Sequence, residues 1–250
     1  MLNRFIRIFL WVGTLLCTAP GNAQDQKIRI LLAGDSTVQD VDHNVNPDWG
    51  WGQVLPRYFD DRIEIINLAK GGRSSRTFIE EGRWQTLLDQ TRAGDFVFIQ
   101  FGHNDIAENK PERYTPPVDY RTNLERFVRQ VREKGATPVL ITPVTRRNFD
   151  HTGNVDYKHG VYPAIVRDVA EENSVVLFDL KTKSRRVVKE HGEEASKKIY
   201  IHLKPGEHPT RPDGANDNTH FSEYGAILMA EIIVGEIKNQ NLIPLSGHLK

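Results

Sequence analysis

Five short apolar runs, separated by stretches of helical periodicity, limit what this chain can fold into more than any other feature. They are IRILLA at 28–33, IEIIN at 63–67, DFVFIQF at 95–101, TPVLIT at 137–142 and SVVLF at 174–178. Each is rich in β-branched or aromatic residues and nearly continuous in apolar character, the pattern of strands buried on both faces. Between them lie helix-like segments, of which YRTNLERFVRQVREKG at 120–135 is the clearest. There Leu124, Phe127, Val128 and Val131 share one face and Gly135 follows as a stop signal. A final helix is expected after Ser222, a good N-cap, and the Pro- and Gly-rich stretch LKPGEHPTRPDGAND at 203–217 reads as a loop before it. The alternation predicts an α/β fold: a five-stranded parallel sheet with helices on both sides, in one domain over 24–250.

The residues before that domain read as a leader. Arg4 and Arg7 form a positive region, Ile8 to Ala19 is apolar but short for a membrane span, and Gly21, Asn22 and Ala23 put small residues at a cleavage point after Pro20. A signal peptide over 1–23 would take Cys17, the chain's single cysteine, with it. The mature chain would then carry neither disulfide nor thiol chemistry, and its expected location is secreted or periplasmic. Loss of Arg4 and Arg7 leaves 31 basic against 33 acidic residues. With no long basic run, neither nucleic acid nor an anionic membrane is an expected partner.

Ligands of open parallel sheets bind at the carboxyl ends of the strands. Ser36 follows the first apolar run, AKGGRSSR the second and GHND the third, so these stretches should meet at one sheet edge. A serine hydroxyl needs a base to become a nucleophile, and a histidine base needs a group to fix its tautomer and steady its charge. Asp217 and His220, with two residues between them before the final helix, can supply both. Acyl transfer also needs donors aimed at a developing oxyanion. The backbone N–H groups of Ser36 and Gly72 and the side-chain amide of Asn104 are suited to that task. Each short motif alone is ordinary loop chemistry; their placement in this order after successive strands carries the reading.

The blocks GDST with Ser36, GGRSSRT with Gly72, GHND with Asn104 and DNTH with Asp217 and His220 resemble the ordered blocks of the SGNH (GDSL-type) hydrolases. GDSTVQD, GWGQ at 50–53, GGRSSRTF and DGANDNTHFSEYGA are similar to the rhamnogalacturonan acetylesterase branch of that family, and the resemblance runs over nearly the whole mature chain. The resemblance implies a three-layer, flavodoxin-like fold and removal of acetyl groups from pectic polysaccharide, without a cofactor. It assigns Ser36 as nucleophile, His220 as base, Asp217 as its partner, and Ser36, Gly72 and Asn104 as the oxyanion hole.

Other residues carry substrate expectations. Arg73, next to Gly72, is expected to read the carboxylate of a galacturonate unit, since a guanidinium fork suits a carboxylate; Arg76 is expected in a structural ion pair. Trp51, with Trp49, is either a sugar platform or packed beneath the first loop. Asp35 is expected to shape the turn under Ser36, and His103 to bond within its loop. His202, His208 and Asp213 match no common metal spacing, so no metal is expected. Two alternatives stay open on sequence: an esterase of the same family acting on acetylated xylan or a lipid, and a carbohydrate-binding protein that keeps the fold without catalysis.

Overall fold

The computed structural model describes residues 27–155 and 158–250. The leader expected over 1–23, including Cys17, lies outside the described residues. The five apolar runs form strands β1 (Ile28–Gly34), β2 (Ile63–Asn67), β3 (Phe96–Gln100), β4 (Thr137–Ile141) and β5 (Val176–Phe178). All pair in parallel, in the order β2-β1-β3-β4-β5. This is a flavodoxin-like order, with its switch point between β1 and β3.

The period-two geometry of the strands divides their side chains between two cores. Ile30 and Leu32 of β1 and Phe96 and Phe98 of β3 point to one; Leu31, Ala33, Val97 and Ile99 point to the other. The first core is covered by α1 (Trp51–Val54), α6 (Leu180–Ala195) and α7 (Glu223–Asn239). The second is covered by α2 (Ser75–Glu80), α3 (Arg83–Gln90), α4 (Pro117–Glu133) and α5 (Tyr162–Glu172). The layers are therefore helix, sheet, helix. On α4 the expected stripe of Leu124, Phe127, Val128 and Val131 is buried, each residue at 1% exposure or less. Burial of each such side chain is worth about 1.5–3 kcal/mol. Gly135 adopts φ +72° just beyond the helix, a backbone conformation glycine takes without strain. Ser222 caps α7 as expected, its hydroxyl accepting the Gly225 N–H at 3.2 Å.

One expectation fails. The sequence before α7 is not all loop: β6 (Tyr200–Leu203) and β7 (Ala215–Phe221) form a separate antiparallel pair. Tyr200 faces Phe221 and His202 faces Asn216, so Ile201 alone opposes residues 217–220. Those four residues are thrown out of the ladder as a wide irregularity. Polar side chains along Ala215–Phe221 concealed the strand, because its partner is a short ribbon rather than the main sheet.

Candidate active site

The carboxyl ends of β1 and β3, on either side of the switch point, carry Ser36 and Asn104. The turn after β1 is held from beneath. Asp35, fully buried, accepts the Thr37 N–H at 2.9 Å and the Thr37 hydroxyl at 2.8 Å through Oδ1, and its Oδ2 lies 3.3 Å from His103 Nδ1. Burial pushes the Asp35 pKa up, but His103 and Thr37 outweigh it and hold the group below its ordinary value. The result is a buried anion under the turn that presents Ser36, in keeping with the shaping role expected of it.

The GWGQ segment closes the same turn from the side. Trp51 is fully buried, and its indole N–H donates to Gln100 Oε1 at 2.9 Å; the Gln100 amide in turn donates to Thr37 Oγ1 at 2.7 Å. Gln53 bonds the Val41 backbone in both directions, at 3.2 and 2.9 Å. A Cβ on Gly50 would stand 2.1 Å from the Gln39 carbonyl oxygen, so only glycine permits this approach. The substrate role expected of Trp51 is thus corrected: its ring packs under the Ser36 turn and reaches no solvent. Trp49 stacks on His43 at 3.8 Å, with Arg57 5.4 Å over its ring.

The irregularity in β7 presents the third part. Asp217 Oδ1 accepts the backbone N–H groups of Thr219 and His220 at 2.7 and 3.0 Å, curling the segment so that His220 Nδ1 meets Asp217 Oδ2 at 2.7 Å. His220 Nε2 then lies 2.9 Å from Ser36 Oγ, across 184 residues of sequence. Arg147 braces the curl, its backbone N–H donating to the Asn218 carbonyl at 2.8 Å and its Nη1 to Asn218 Oδ1 at 3.1 Å. His202 Nε2 bonds the same Oδ1 at 2.9 Å.

The electrostatics suit proton transfer. Burial works to lower the His220 pKa, but the hydrogen bond and charge of Asp217 outweigh it and raise the pKa above its ordinary value. Burial likewise works to raise Asp217, and the bonds from His220 and Thr219 bring it down to about 2. Asp217 is therefore ionised at neutral pH. The ring's Nδ1–H donates to it, leaving the Nε2 lone pair to accept the Ser36 O–H.

Ser36, Gly72, Asn104 and His220 line one cavity of about 670 Å³. Gly72 adopts φ +79° there. The backbone N–H groups of Ser36 and Gly72 donate to no other protein group among the described residues. Asn104 gives one amide hydrogen to the Arg73 carbonyl at 2.9 Å and has a second to offer. Three donors and an activated hydroxyl around one void can accommodate the tetrahedral intermediate of acyl transfer.

Arg73 is a second correction. It does not line the cavity: its Nε bonds both Glu81 oxygens at 3.1 and 3.0 Å, and its Nη1 donates to the Gly71 carbonyl at 2.8 Å. The guanidinium is engaged by a carboxylate and a carbonyl of this chain. Arg76 pairs with Glu80 at 2.9 Å, the structural role expected of it. Sequence reasoning passed over Asn46, Asp48, Lys110, Arg113 and Arg146, which do line the cavity. Position after β3 and β4 was the signal available for Arg113 and Arg146.

The GDSL-like lipase/acylhydrolase family model matches residues 32–226. The chain is 41% identical over 222 residues to rhamnogalacturonan acetylesterase RhgT of Bacillus subtilis (strain 168), covering 89% of this chain and 94% of that protein. It is 43% identical over 214 residues to the probable rhamnogalacturonan acetylesterase YesY of the same organism, covering 85% and 94%. Among solved structures, protein YXIM of Bacillus subtilis superposes with a TM-score of 0.74 at 28% identity; the match covers 87% of this chain and 58% of that one. The acetylxylan esterase Axe2 of Geobacillus stearothermophilus shares the fold, with a TM-score of 0.63 at 19% identity over 85% of this chain and 94% of that one. The chain belongs to the GDSL-like lipase/acylhydrolase family and is a carboxylic ester hydrolase.

Proposed function

We propose that this protein is an exported serine esterase that removes acetyl groups from a plant cell-wall polysaccharide, with pectic rhamnogalacturonan as substrate. The observation that carries the reading is the unbroken relay from Asp217 through His220 to Ser36 Oγ, opening on a cavity shared with Gly72 and Asn104. Ser36 attacks the acetyl carbonyl as His220 takes its proton. The oxyanion is held by the N–H groups of Ser36 and Gly72 and the Asn104 amide. His220 returns the proton to the departing sugar oxygen, and water then clears the acetyl-enzyme by the same route.

The choice of ester follows from the lining. Ile106 and Ala107 are its apolar side chains, against Asn46, Asp48, Asn109, Lys110, Arg113 and Arg146. A long acyl chain would leave such groups desolvated and unpaired, whereas a hydroxyl-rich saccharide can bond them. A small acyl group on a polar leaving group fits best. The relatives named as rhamnogalacturonan acetylesterases support the same substrate. Export rests on the amino-terminal pattern of Arg4, Arg7 and the apolar stretch behind them.

Acetate release from acetylated rhamnogalacturonan, acetylated xylan and a long-chain aryl ester tests the proposal. The pectic polymer should be turned over fastest. Preference for the long-chain ester would overturn the carbohydrate reading, and preference for xylan would overturn the pectic one.

A further inference from the structure

The cavity beside Ser36 holds positive charge that the protein itself leaves unanswered. Arg113 lies in the segment between β3 and α4, and Arg146 just after β4; Lys110 lines the same wall. Neither guanidinium has a carboxylate within ion-pair distance among the described residues. The Nε of Arg113 and the Nε of Arg146 are each buried without a hydrogen-bond partner. Arg146 spends Nη2 on the His103 carbonyl at 3.0 Å. Other arginines of the fold are answered by carboxylates: Arg73 has Glu81, Arg76 has Glu80, Arg121 has Glu172 and Arg167 has Asp179, all within 3.0 Å. Buried Arg147, which has none among the described residues, instead spends its Nε and Nη1 on Ser196 and Asn218.

The two guanidinium groups also stand against each other. Burial and the charge of Arg113 both push the Arg146 pKa down, against the pull of Asp35 and Asp217. Two like charges on a half-buried wall, short of donors' partners, are costly unless an anion joins them. Asp48 is the single carboxylate among the lining residues, and one of its oxygens is taken by Asn46 Nδ2 at 3.1 Å. Position fixes where these two arginines would hold an anion. A Cβ on Gly72 would stand 3.9 Å from Arg113 Nη1, and Arg146 holds the carbonyl next to Asn104. The charges therefore bracket the wall that carries Gly72 and Asn104.

We propose that Arg113 and Arg146 form a carboxylate-binding subsite beside the ester-cleaving centre, and that its ligand is a uronate carboxylate on the acetylated sugar or its immediate neighbour. The assignment rests on the carbohydrate acetylesterase reading and adds the residues that select an acidic sugar over a neutral one. A planar fork can bond both oxygens of a carboxylate, and the cavity wall excludes part of the water that would otherwise screen it. Arg73 does not fill this role: it does not line the cavity, and its Nε and Nη1 are engaged by Glu81 and the Gly71 carbonyl.

Two arms test the subsite separately from the reading beneath it. In the first, acetate release is followed from an acetylated galacturonate oligosaccharide and from the same oligosaccharide with its carboxyl groups methyl-esterified. Wild type should favour the free acid by roughly tenfold to a hundredfold in kcat/KM, the range of a charge-assisted bond. Arg113→Gln and Arg146→Gln should each lose most of that preference, the double variant all of it, and Arg113→Lys should keep part. A wild type indifferent to methylation, or variants that slow both substrates equally, would overturn the subsite. In the second arm, unacetylated digalacturonate should inhibit cleavage of 4-nitrophenyl acetate competitively, and its methyl ester should not. Arg113→Gln should raise the inhibition constant of the free acid by roughly tenfold or more. Equal inhibition by acid and ester overturns the subsite even if no acetylated saccharide proves to be a substrate, whereas acid-selective inhibition without saccharide turnover upholds the subsite and removes only the carbohydrate reading.

Discussion

Two histidines in this site each hold an aspartate through Nδ1, and their differences show what a base requires beyond a carboxylate partner. His220 meets Asp217 at 2.7 Å and has Ser36 Oγ 2.9 Å from its far nitrogen. His103 meets Asp35 at a looser 3.3 Å, and its Nε2 is buried with no partner among the described residues. Burial works to lower both pKa values. At His220 Asp217 outweighs burial and the pKa rises; at His103 burial outweighs Asp35 and the pKa falls. Both rings line the cavity, but only His220 has a hydroxyl at its far nitrogen and a raised pKa, which suit a proton acceptor. His103 stays neutral, giving its Nδ1–H to the anion under the Ser36 turn, and has nothing at Nε2 to act on.

The comparison is broken most directly by removing the cavity pair. Ser36→Ala and His220→Ala should each lower kcat/KM for acetate release by about a thousandfold or more, with melting temperature near wild type. The double variant should be little worse than either single one, because the two groups act as one unit. Appreciable activity in His220→Ala would hand the base role to another residue, His103 first.

Asp217→Asn tests the partner rather than the ring. An amide cannot steady imidazolium, and turned nitrogen-first it would favour the wrong tautomer, so activity should drop by about a hundredfold or more. The pH profile gives the sign. His220 works as a base when unprotonated, so wild-type kcat/KM should rise with pH through an ionisation above 6.5, the direction in which Asp217 moves the ring. Without that charge, burial is left to dominate and the limb should move to lower pH. A limb that stays in place in Asp217→Asn would separate the ionisation from His220.

The same contrast explains what could be read in advance. The five strands were legible because burial on both faces leaves an unbroken apolar run, and Ile28–Gly34 to Val176–Phe178 fall on or within a residue or two of those runs. Ser36, Gly72, Asn104, Asp217 and His220 were legible as short blocks at strand ends, and the fold gathers all five. Side-chain direction was not. Trp51 and Arg73 carry chemistry a saccharide site could use, but Gln100 and Glu81, distant or unremarkable in sequence, capture them. Arg113 and Arg146 are the converse: their place after β3 and β4 puts them at the right sheet edge, but only the three-dimensional arrangement shows that they line the cavity without a carboxylate partner among the described residues. β7 was hidden because its run NDNTH is polar, its irregularity carrying the Asp217–His220 pair out of the ladder.

A third aspartate sharpens the comparison by having no imidazole. Asp105, next to Asn104 and fully buried, accepts the Ser75 N–H at 2.9 Å and the Ser75 hydroxyl at 2.6 Å, tying the start of α2 to the Asn104 loop. Its other oxygen is unpartnered among the described residues. Burial outweighs the bonds from Ser75 and raises its pKa to about 6. A carboxyl raised in this way favours folding fully below its unfolded pKa of about 3.9 and loses that contribution as pH climbs through about 6. The loss is about 3 kcal/mol. Asp105→Asn should therefore gain stability relative to wild type as pH rises from 4 to 8, measured by denaturant unfolding at each pH. A stability difference that does not change with pH would mean that Asp105 keeps one protonation state throughout.

The smallest effect is expected where the two histidines differ most. His103→Asn places an amide N–H near the position of Nδ1, so the bond to Asp35 Oδ2 can be kept while the ring, its unpartnered Nε2 and its edge contact with His159 at 4.6 Å are removed. If His103 serves only to hold Asp35 and hence the Ser36 turn, kcat/KM should fall by less than about tenfold, the scale of one neutral hydrogen bond weakened by imperfect geometry. The pH limb should stay where wild type has it, because the charges that raise His220 come from Asp217 first and from Asp48 and Asp35 behind it, none of which is removed. His103→Leu, which cannot bond Asp35, should cost more, since it leaves a buried carboxylate with the Thr37 donors alone. The order Asn above Leu marks a positioning residue. A loss in His103→Asn as deep as that in His220→Ala, or a displaced pH limb, would mean that both Asp–His pairs handle the proton and that the contrast between them is one of burial alone.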